Sequence, residues 1–348
     1  MFKTENEIFS QYDALEKTYA YLMERTHEIK NIQEKKAFES VTFIGCGSSY
    51  SLCRSAEMSL KMRSQLKVDS FPAGDIMLNF NQYESILKDT LLIVPSRSGS
   101  TSEVLLTVEK AKKKFGVPCI SICATNQSEL SKIADLNFEL PWAFDESVCQ
   151  TRTVTNLYTA NLIIVGILTE DRLLLDEIKY AIENGRRFMD DNKENLKAIG
   201  NDESWDNVVT LGDSELTGIV EEGALAFKEI CQLQSNYYHI LDVRHGPSVL
   251  IRNRTLVIIA AAPDGEVYQK DLVKDLKKQQ AIIITVSDKP ENVYGADYNF
   301  TVPSYKNYAV MGIPFIFIPQ MLSYSKAIAR GTDPDLPQGL DPWIKLTT

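Results

Sequence analysis

Histidine is scarce: the 348 residues hold three, His27, His239 and His245. They cluster neither with cysteines nor with paired carboxylates, which argues against a zinc site built from protein ligands. Positive charge is in deficit too. Lys and Arg number 37 against 47 Asp and Glu, a formal net charge of −10. With no basic helix-turn-helix-like module in the chain, nucleic acid is not an expected partner. There is no run of about 18 apolar residues, so neither a membrane-spanning helix nor a membrane partner is expected. The first residues, MFKTENEIFSQYDALEK, are acidic and helix-like and lack the basic, then apolar, then small-residue plan of a secretory signal. The six cysteines (Cys46, Cys53, Cys119, Cys123, Cys149, Cys231) include no CxxC pair, and several fall inside strand-like or helix-like runs. In a chain of this length they read as buried thiols in a reducing compartment rather than disulfides. A cytoplasmic protein is expected.

Strand-like runs alternate with helix-like runs from residue 40 to 330, which predicts an α/β fold of parallel sheets covered by helices on both faces. The alternation reads twice. VTFIG at Val41 and VVTLG at Val208, LLIVP at Leu91 and LVIIA at Leu256, ISICA at Ile120 and IIITV at Ile282 stand 167, 165 and 162 residues apart. Order and spacing agree, so two tandem doubly wound parallel-sheet domains with flanking helices are expected. The division is an N-terminal helix over 1–35 (its helical run 4–33), a first domain over 36–170, a linking helix over 171–200, a second domain over 201–330 and a tail over 331–348. Gly331, Pro334, Pro337, Gly339 and Pro342 keep that tail from being helical.

Two loops of the first copy carry chemistry. In LLIVPSRSGSTSEVL a buried strand gives way to five hydroxyls in seven residues, Ser96, Ser98, Ser100, Thr101 and Ser102, with Arg97 and Gly99 among them, and then to a helix start. A helix start presents unpaired N–H groups and a positive dipole end, a setting for phosphate or carboxylate. A capping role needs one hydroxyl, and five exceed it. The earlier turn, FIGCGSSYSLC, has the same strand-then-helix setting. Its Gly45 and Gly47 fit the first two positions of a dinucleotide G-x-G-x-x-G pattern, with Asp69 placed like a ribose-binding acid. The third position is Tyr50, however, which argues against a nicotinamide site. No GK[ST] follows, so it is not a Walker loop either. Two hydroxyl-bearing loops after neighbouring parallel strands suit a small phosphorylated ligand.

The equivalent loops of the second copy, GDSELTG and APDGEVYQ, are acidic and have lost most hydroxyls, so a second phosphate there is not expected. That copy offers EEGALAFKEI and DVRHGPSVLI instead. On a helix starting near Glu215, Glu222 and Glu229 share a face. His245 follows a strand, and Gly246-Pro247 opens the next helix. A solvated helix face and a capping histidine are the ordinary fates of such residues. A carboxylate and a histidine are also what proton transfer beside a carbonyl needs, and spacing alone leaves the choice open.

CGSSY, SRSGSTSE and EEGALAFKEICQLQS…RHGPSVLI together resemble the SIS (sugar isomerase) family over residues 40 to 345. They are similar to the isomerase half of glucosamine-6-phosphate synthase and equally to its shorter, glutaminase-free relatives, the amino-sugar-phosphate deaminase/isomerases and fructosamine-phosphate deglycases. The resemblance implies two sugar-isomerase domains, a sugar 6-phosphate as substrate, no cofactor and a homodimer with its active site at the subunit interface. Carried over by position, Ser49, Ser96, Ser98 and Thr101 would hold the phosphate. Ser48, Val148 and Gln150 would touch the sugar. Glu229 matches the base that moves a proton between C1 and C2, and His245 the histidine linked to ring opening, which in the synthase comes from the partner subunit. Arg97, Glu222 and Lys345 complete the expected substrate site.

The departures point to a direction of reaction. Arg97 stands where the synthase has glutamine, a replacement found in the deaminase-like branch. Ala226 stands at a lysine position, and the Schiff-base lysine aligns with Pro342, three residues before Lys345. The chain begins Met-Phe, so neither a cysteine as N-terminal nucleophile nor a glutaminase supplying ammonia is expected. The expected activity is a phosphosugar isomerase/deaminase that releases ammonia from an amino-sugar 6-phosphate. The alternatives are a fructosamine-6-phosphate deglycase and a non-enzymatic sugar-phosphate sensor.

Overall fold

The computed structural model describes residues 2–35, 38–342 and 344–346, the side chains of 33–35 aside. Three helices lead: α1 (Lys3–Phe9), α2 (Gln11–Glu24) and α3 (Thr26–Lys35). The single helix expected over 4–33 is therefore broken twice. At Arg25 the backbone N–H turns back to the carbonyls of Leu22 and Met23, and the Thr26 hydroxyl donates to the Met23 carbonyl at 2.8 Å. This tightened turn closes one helix and lets the next begin.

Strand and helix then alternate through β1 (Ser40–Gly45), α4 (Ser48–Arg63), β2 (Lys67–Pro72), α5 (Ala73–Asn79), α6 (Glu84–Leu87), β3 (Thr90–Ser96), α7 (Ser102–Phe115), β4 (Cys119–Cys123), α8 (Glu129–Ile133) and β5 (Leu136–Glu139). The long helices α9 (Arg152–Leu168) and α10 (Arg172–Asn201) follow. The second series is β6 (Asn207–Leu211), α11 (Thr217–Ile230), β7 (Gln234–Tyr238), β8 (Thr255–Ala260), α12 (Glu266–Lys278), β9 (Ile282–Ser287), β10 (Tyr298–Thr301), α13 (Gly312–Phe315) and α14 (Phe317–Arg330).

Both series form five-stranded sheets, ordered β2-β1-β3-β4-β5 and β10-β9-β8-β6-β7, with every pairing parallel. Counted from its own first strand, each sheet runs second, first, third, fourth, fifth. The duplication read from strand spacing is thus present as topology. The central strands β3 and β8 are buried along their whole length, which is why they read as unbroken apolar runs.

The chain divides into two compact units. One holds Ser10–Glu146, Gln150–Lys179 and the tail from Asp341; the other holds the residues up to Phe9, Ser147–Cys149 and Tyr180–Leu340. In the first, Ile44, Leu92 and Val94 of the sheet pack with Ala73 and Ile76 of α5 and Val104, Val108 and Ala111 of α7. Helices α4 and α9 pack on the strands and on each other and contribute nothing to that cluster, so they cover the opposite face. In the second, Val209, Leu211, Val257 and Ile259 pack with Leu272, Val273 and Leu276 of α12, while α11 lies on β6 and β7 and against α14. This is the doubly wound arrangement. No helix among the described residues is long and apolar enough to cross a membrane. All six cysteines are free thiols, five of them buried and Cys46 half-buried.

Candidate active site

In the first sheet β1 has β2 on one side and β3 on the other. The chain therefore leaves β1 and β3 in opposite directions, opening a crevice at their carboxyl ends, where ligands of such sheets bind. Both hydroxyl loops lie there.

The loop after β1 is shaped by two glycines. A Cβ on Gly45 would come within 2.7 Å of the Ser49 carbonyl carbon and the Tyr50 nitrogen. Its absence lets the first turn of α4 sit directly on the strand end. Gly47, at φ 52° and ψ −129°, holds a backbone conformation that L residues avoid. It caps α4 through its carbonyl alone, which accepts from the N–H groups of Tyr50 at 2.9 Å and Ser51 at 3.1 Å. Ser48 and Ser49 follow in the first turn, only 4% and 5% exposed.

The loop after β3 folds on itself. Ser96 Oγ accepts from the Gly99 N–H at 3.0 Å, and Ser98 Oγ from the Ser100 N–H at 3.2 Å. Both hydroxyls use lone pairs in this way and keep their protons for another acceptor. Thr101 stands at the N-cap of α7 yet makes no side-chain cap bond. Among the described residues the hydroxyls of Ser48, Ser49 and Thr101 have no hydrogen-bond partner. Unused donors at two helix N-termini, two of them buried and Thr101 half-buried, can each hydrogen-bond an anion.

The loop after β4 supports this turn, a contribution the sequence reading missed. Gly99, at φ +59°, packs on Ser128 and Cys123. The Leu130 N–H donates to the Gly99 carbonyl at 2.9 Å, and the Thr125 hydroxyl to the Ser98 carbonyl at 2.8 Å. The signal was Ser128, a helix N-cap whose side chain accepts from the Ser131 N–H, in a polar ATNQS run at the crevice. Burial, and then the charge of Glu103, push the Cys46 thiol up to about 11, which disfavours its thiolate.

The tail reaches the same turn. Buried Arg97 donates from its guanidinium to the Pro342 carbonyl, and the Leu346 N–H donates to Ser102 Oγ at 3.1 Å. Lys345 lies between these two tethers and is exposed. The structure thus gives Arg97 the task of holding the tail, beyond the contact with substrate expected of it.

In the second unit Glu222 is buried on α11 and Glu229 is half-buried in its last turn, one residue from its end. The helix starts near Glu215 as expected, a 3-10 turn over Ser214–Leu216 leading into α11 at Thr217. His245 is exposed, and Gly246-Pro247 opens a four-residue 3-10 turn, Pro247–Leu250, instead of a full helix. Gly246 precedes that turn at φ 124°, a conformation L residues avoid. The preceding Arg244 donates to Asp271 and Asp275 of α12, each at 2.9 Å. Exposed Leu241, Val249 and Leu250 surround the histidine in sequence. The acidic loop after β6 is occupied: Asp213 lies 2.9 Å from His239 Nδ1 and accepts from the Ile240 N–H at 3.2 Å. The expected sugar-contacting stretch is split between the units, Val148 in the second and Gln150 in the first. Gln150 Oε1 is buried with no hydrogen-bond partner among the described residues.

Residues 36–168 match the family described as SIS domain. Over those residues the chain carries a SIS domain. It is 25% identical over 357 residues to the glutamine–fructose-6-phosphate aminotransferase (isomerizing) of Wigglesworthia glossinidia brevipalpis, covering 96% of this chain and 57% of that protein. The chain thus spans a little over half the length of the curated relatives it matches. A solved glucosamine-6-phosphate deaminase from Thermotoga maritima superposes with a TM-score of 0.82 at 25% identity, over 99% of this chain and 100% of the other. The tagatose-6-phosphate ketose/aldose isomerase of Escherichia coli shares the fold, with a TM-score of 0.86 at 20% identity over 99% and 96% of the two chains.

Proposed function

We propose that the protein is a phosphosugar isomerase that deaminates, turning an amino-sugar 6-phosphate and water into a keto-sugar phosphate and ammonia. The observation that carries the reading is the set of unpartnered hydroxyls, Ser48, Ser49 and Thr101, at the starts of α4 and α7. Full-length likeness to a glucosamine-6-phosphate deaminase supports the direction of the reaction.

In this reading Ser49, Ser96, Ser98 and Thr101 hold the phosphate and so fix the reacting carbons. Ser48, Val148 and Gln150 touch the sugar, with Glu222 and Lys345 completing the site. Arg97 fastens the tail that carries Lys345. His245 assists ring opening to the free aldehyde. Glu229 then takes the proton from C2 and returns it at C1, leaving an imine at C2 that water hydrolyses to the ketone and ammonia. The protein acts as a homodimer whose partner supplies His245; the exposed apolar residues beside that histidine support this, and sedimentation of the purified protein tests it.

The test is ammonia release from glucosamine 6-phosphate and galactosamine 6-phosphate, with Glu229→Gln alongside. Glu229-dependent release is expected. Silence on both with cleavage of fructosamine 6-phosphates would move the reaction to deglycation. Tight phosphosugar binding without any chemistry would leave a sensor and refute the enzyme.

A further inference from the structure

We infer that Glu7 is a positioning residue: with Asp335 it clips the segment Ser147–Cys149 and so fixes Val148 for the sugar. The inference rests on the phosphosugar reading of Val148 given above. Glu7, Ser147–Cys149 and Asp335 all belong to one unit.

Glu7 projects from α1 and is 2% exposed, as is Ser147. The Ser147 N–H donates to Glu7 Oε1 at 3.1 Å, and the Ser147 hydroxyl bonds Glu7 Oε2. The same hydroxyl lies 2.9 Å from the Cys149 carbonyl oxygen. The second arm is Asp335. Its carbonyl accepts from the Val148 N–H at 3.0 Å. Its carboxylate accepts from the N–H groups of Lys3 and Thr4 at 2.9 and 2.8 Å and from the Thr4 hydroxyl at 2.7 Å. The residue that holds Val148 therefore also fixes the start of the helix that carries Glu7. The ring closes: α1 to Ser147, Ser147 through its peptide bond to Val148, Val148 to Asp335, Asp335 to α1.

A purely structural staple has no need of a carboxylate at this depth. Burying one costs free energy that a well-packed apolar side chain avoids. What a carboxylate adds is two acceptors in a fixed plane, able to hold a backbone N–H and a neighbouring hydroxyl at once. That sets the direction of a short turn, which is the property a substrate-contacting segment requires.

The experiment compares Glu7→Ala and Glu7→Gln in the full chain. With the phosphate loops untouched, Glu7→Ala is expected to lower kcat about 10- to 100-fold and to leave KM within about threefold. In Glu7→Gln the amide oxygen can accept the Ser147 N–H, and the amide N–H can donate to the Ser147 hydroxyl, which then donates to Cys149. This variant is expected to recover most of kcat. Glutamine as damaging as alanine would make the carboxylate itself catalytic and overturn the inference. So would a Glu7→Ala protein that melts lower yet keeps its kcat. Should Glu7→Ala fail to fold, Ser147→Ala removes one arm alone, and an unchanged kcat there overturns the clip. Amide exchange needs no turnover: Ser147 and Val148 should exchange faster in Glu7→Ala than in the wild type, and equal rates would refute the clip. A wild-type protein inert on every phosphosugar would refute the proposed function, and exchange alone would then decide the clip.

Discussion

Replacing Gly99 by alanine places a methyl group where the structure has no room for it. The added Cβ would lie 2.4 Å from Ser128 Oγ, 2.5 Å from Ser128 Cβ and 2.9 Å from Cys123 Sγ, at a φ of +59°. The left-handed conformation alone costs about 1–2 kcal/mol for an L residue. Forcing the overlap adds about 1–3 kcal/mol, for a sum of roughly 2–5 kcal/mol. Gly116 separates the two parts: it closes α7 at φ +67° with nothing within 4 Å of its hypothetical Cβ, so Gly116→Ala should show the conformational cost alone. Ser128→Gly separates them a second way. On its own it weakens the cap of α8 by a few tenths of a kcal/mol, and in the Gly99→Ala background it removes the two nearest atoms. The double variant should therefore be more stable than the sum of the singles by about 1 kcal/mol or more. Urea midpoints at constant m measure all four proteins. Gly99→Ala costing no more than Gly116→Ala, or a cycle with no coupling, would refute the packing of the hydroxyl turn on the loop after β4.

Two further outcomes follow from the same geometry. Ser49→Ala removes a hydroxyl that no protein group uses, so the fold should be indifferent while phosphosugar affinity falls about tenfold or more, the loss of one hydrogen bond to a charged group; titration calorimetry with fructose 6-phosphate would read it, and an unchanged Kd would exclude Ser49 from the anion site. The buried thiols make stability alkali-sensitive. Burial pushes Cys123 up to about 11, so the native state keeps a proton that the unfolded chain loses near its ordinary value of 9.0. The stability this thiol contributes is complete below pH 9 and is lost as pH rises from 9 through 11, about 2–3 kcal/mol in all. Melting curves from pH 8 to 10 should flatten in Cys123→Ala, and an identical slope would refute the linkage.

The sequence showed most clearly the parts whose environment is uniform. β1, β3, β4 and their counterparts β6, β8 and β9 lie inside the sheets and read as continuous apolar runs, so their spacing revealed the duplication. The edge strands β2, β5, β7 and β10 are partly exposed, and their mixed residues carry no such signal. The hydroxyl turn was readable because five hydroxyls exceed what a cap requires. Its support was not, since the packing of Ser128 on Gly99 and the bond from Arg97 to Pro342 join positions far apart in the chain. The break at Arg25 was missed for the opposite reason: a local 3-10 tightening needs no glycine or proline to announce it. Glu222 and Glu229 were correctly placed on one helix, but their burial depends on β6, β7 and α14, which periodicity cannot supply.

The most direct test of the central claim follows the proton. The protein is incubated in deuterium oxide with 6-phosphates of amino and neutral aldoses and ketoses, and the hydrogens at C1 and C2 are watched by NMR. The proposed proton transfer requires exchange with at least one of these sugar phosphates, none with the sugar lacking its phosphate, and loss of exchange in Glu229→Gln. No exchange with any of them, or exchange that survives the loss of the Glu229 carboxylate, would contradict it.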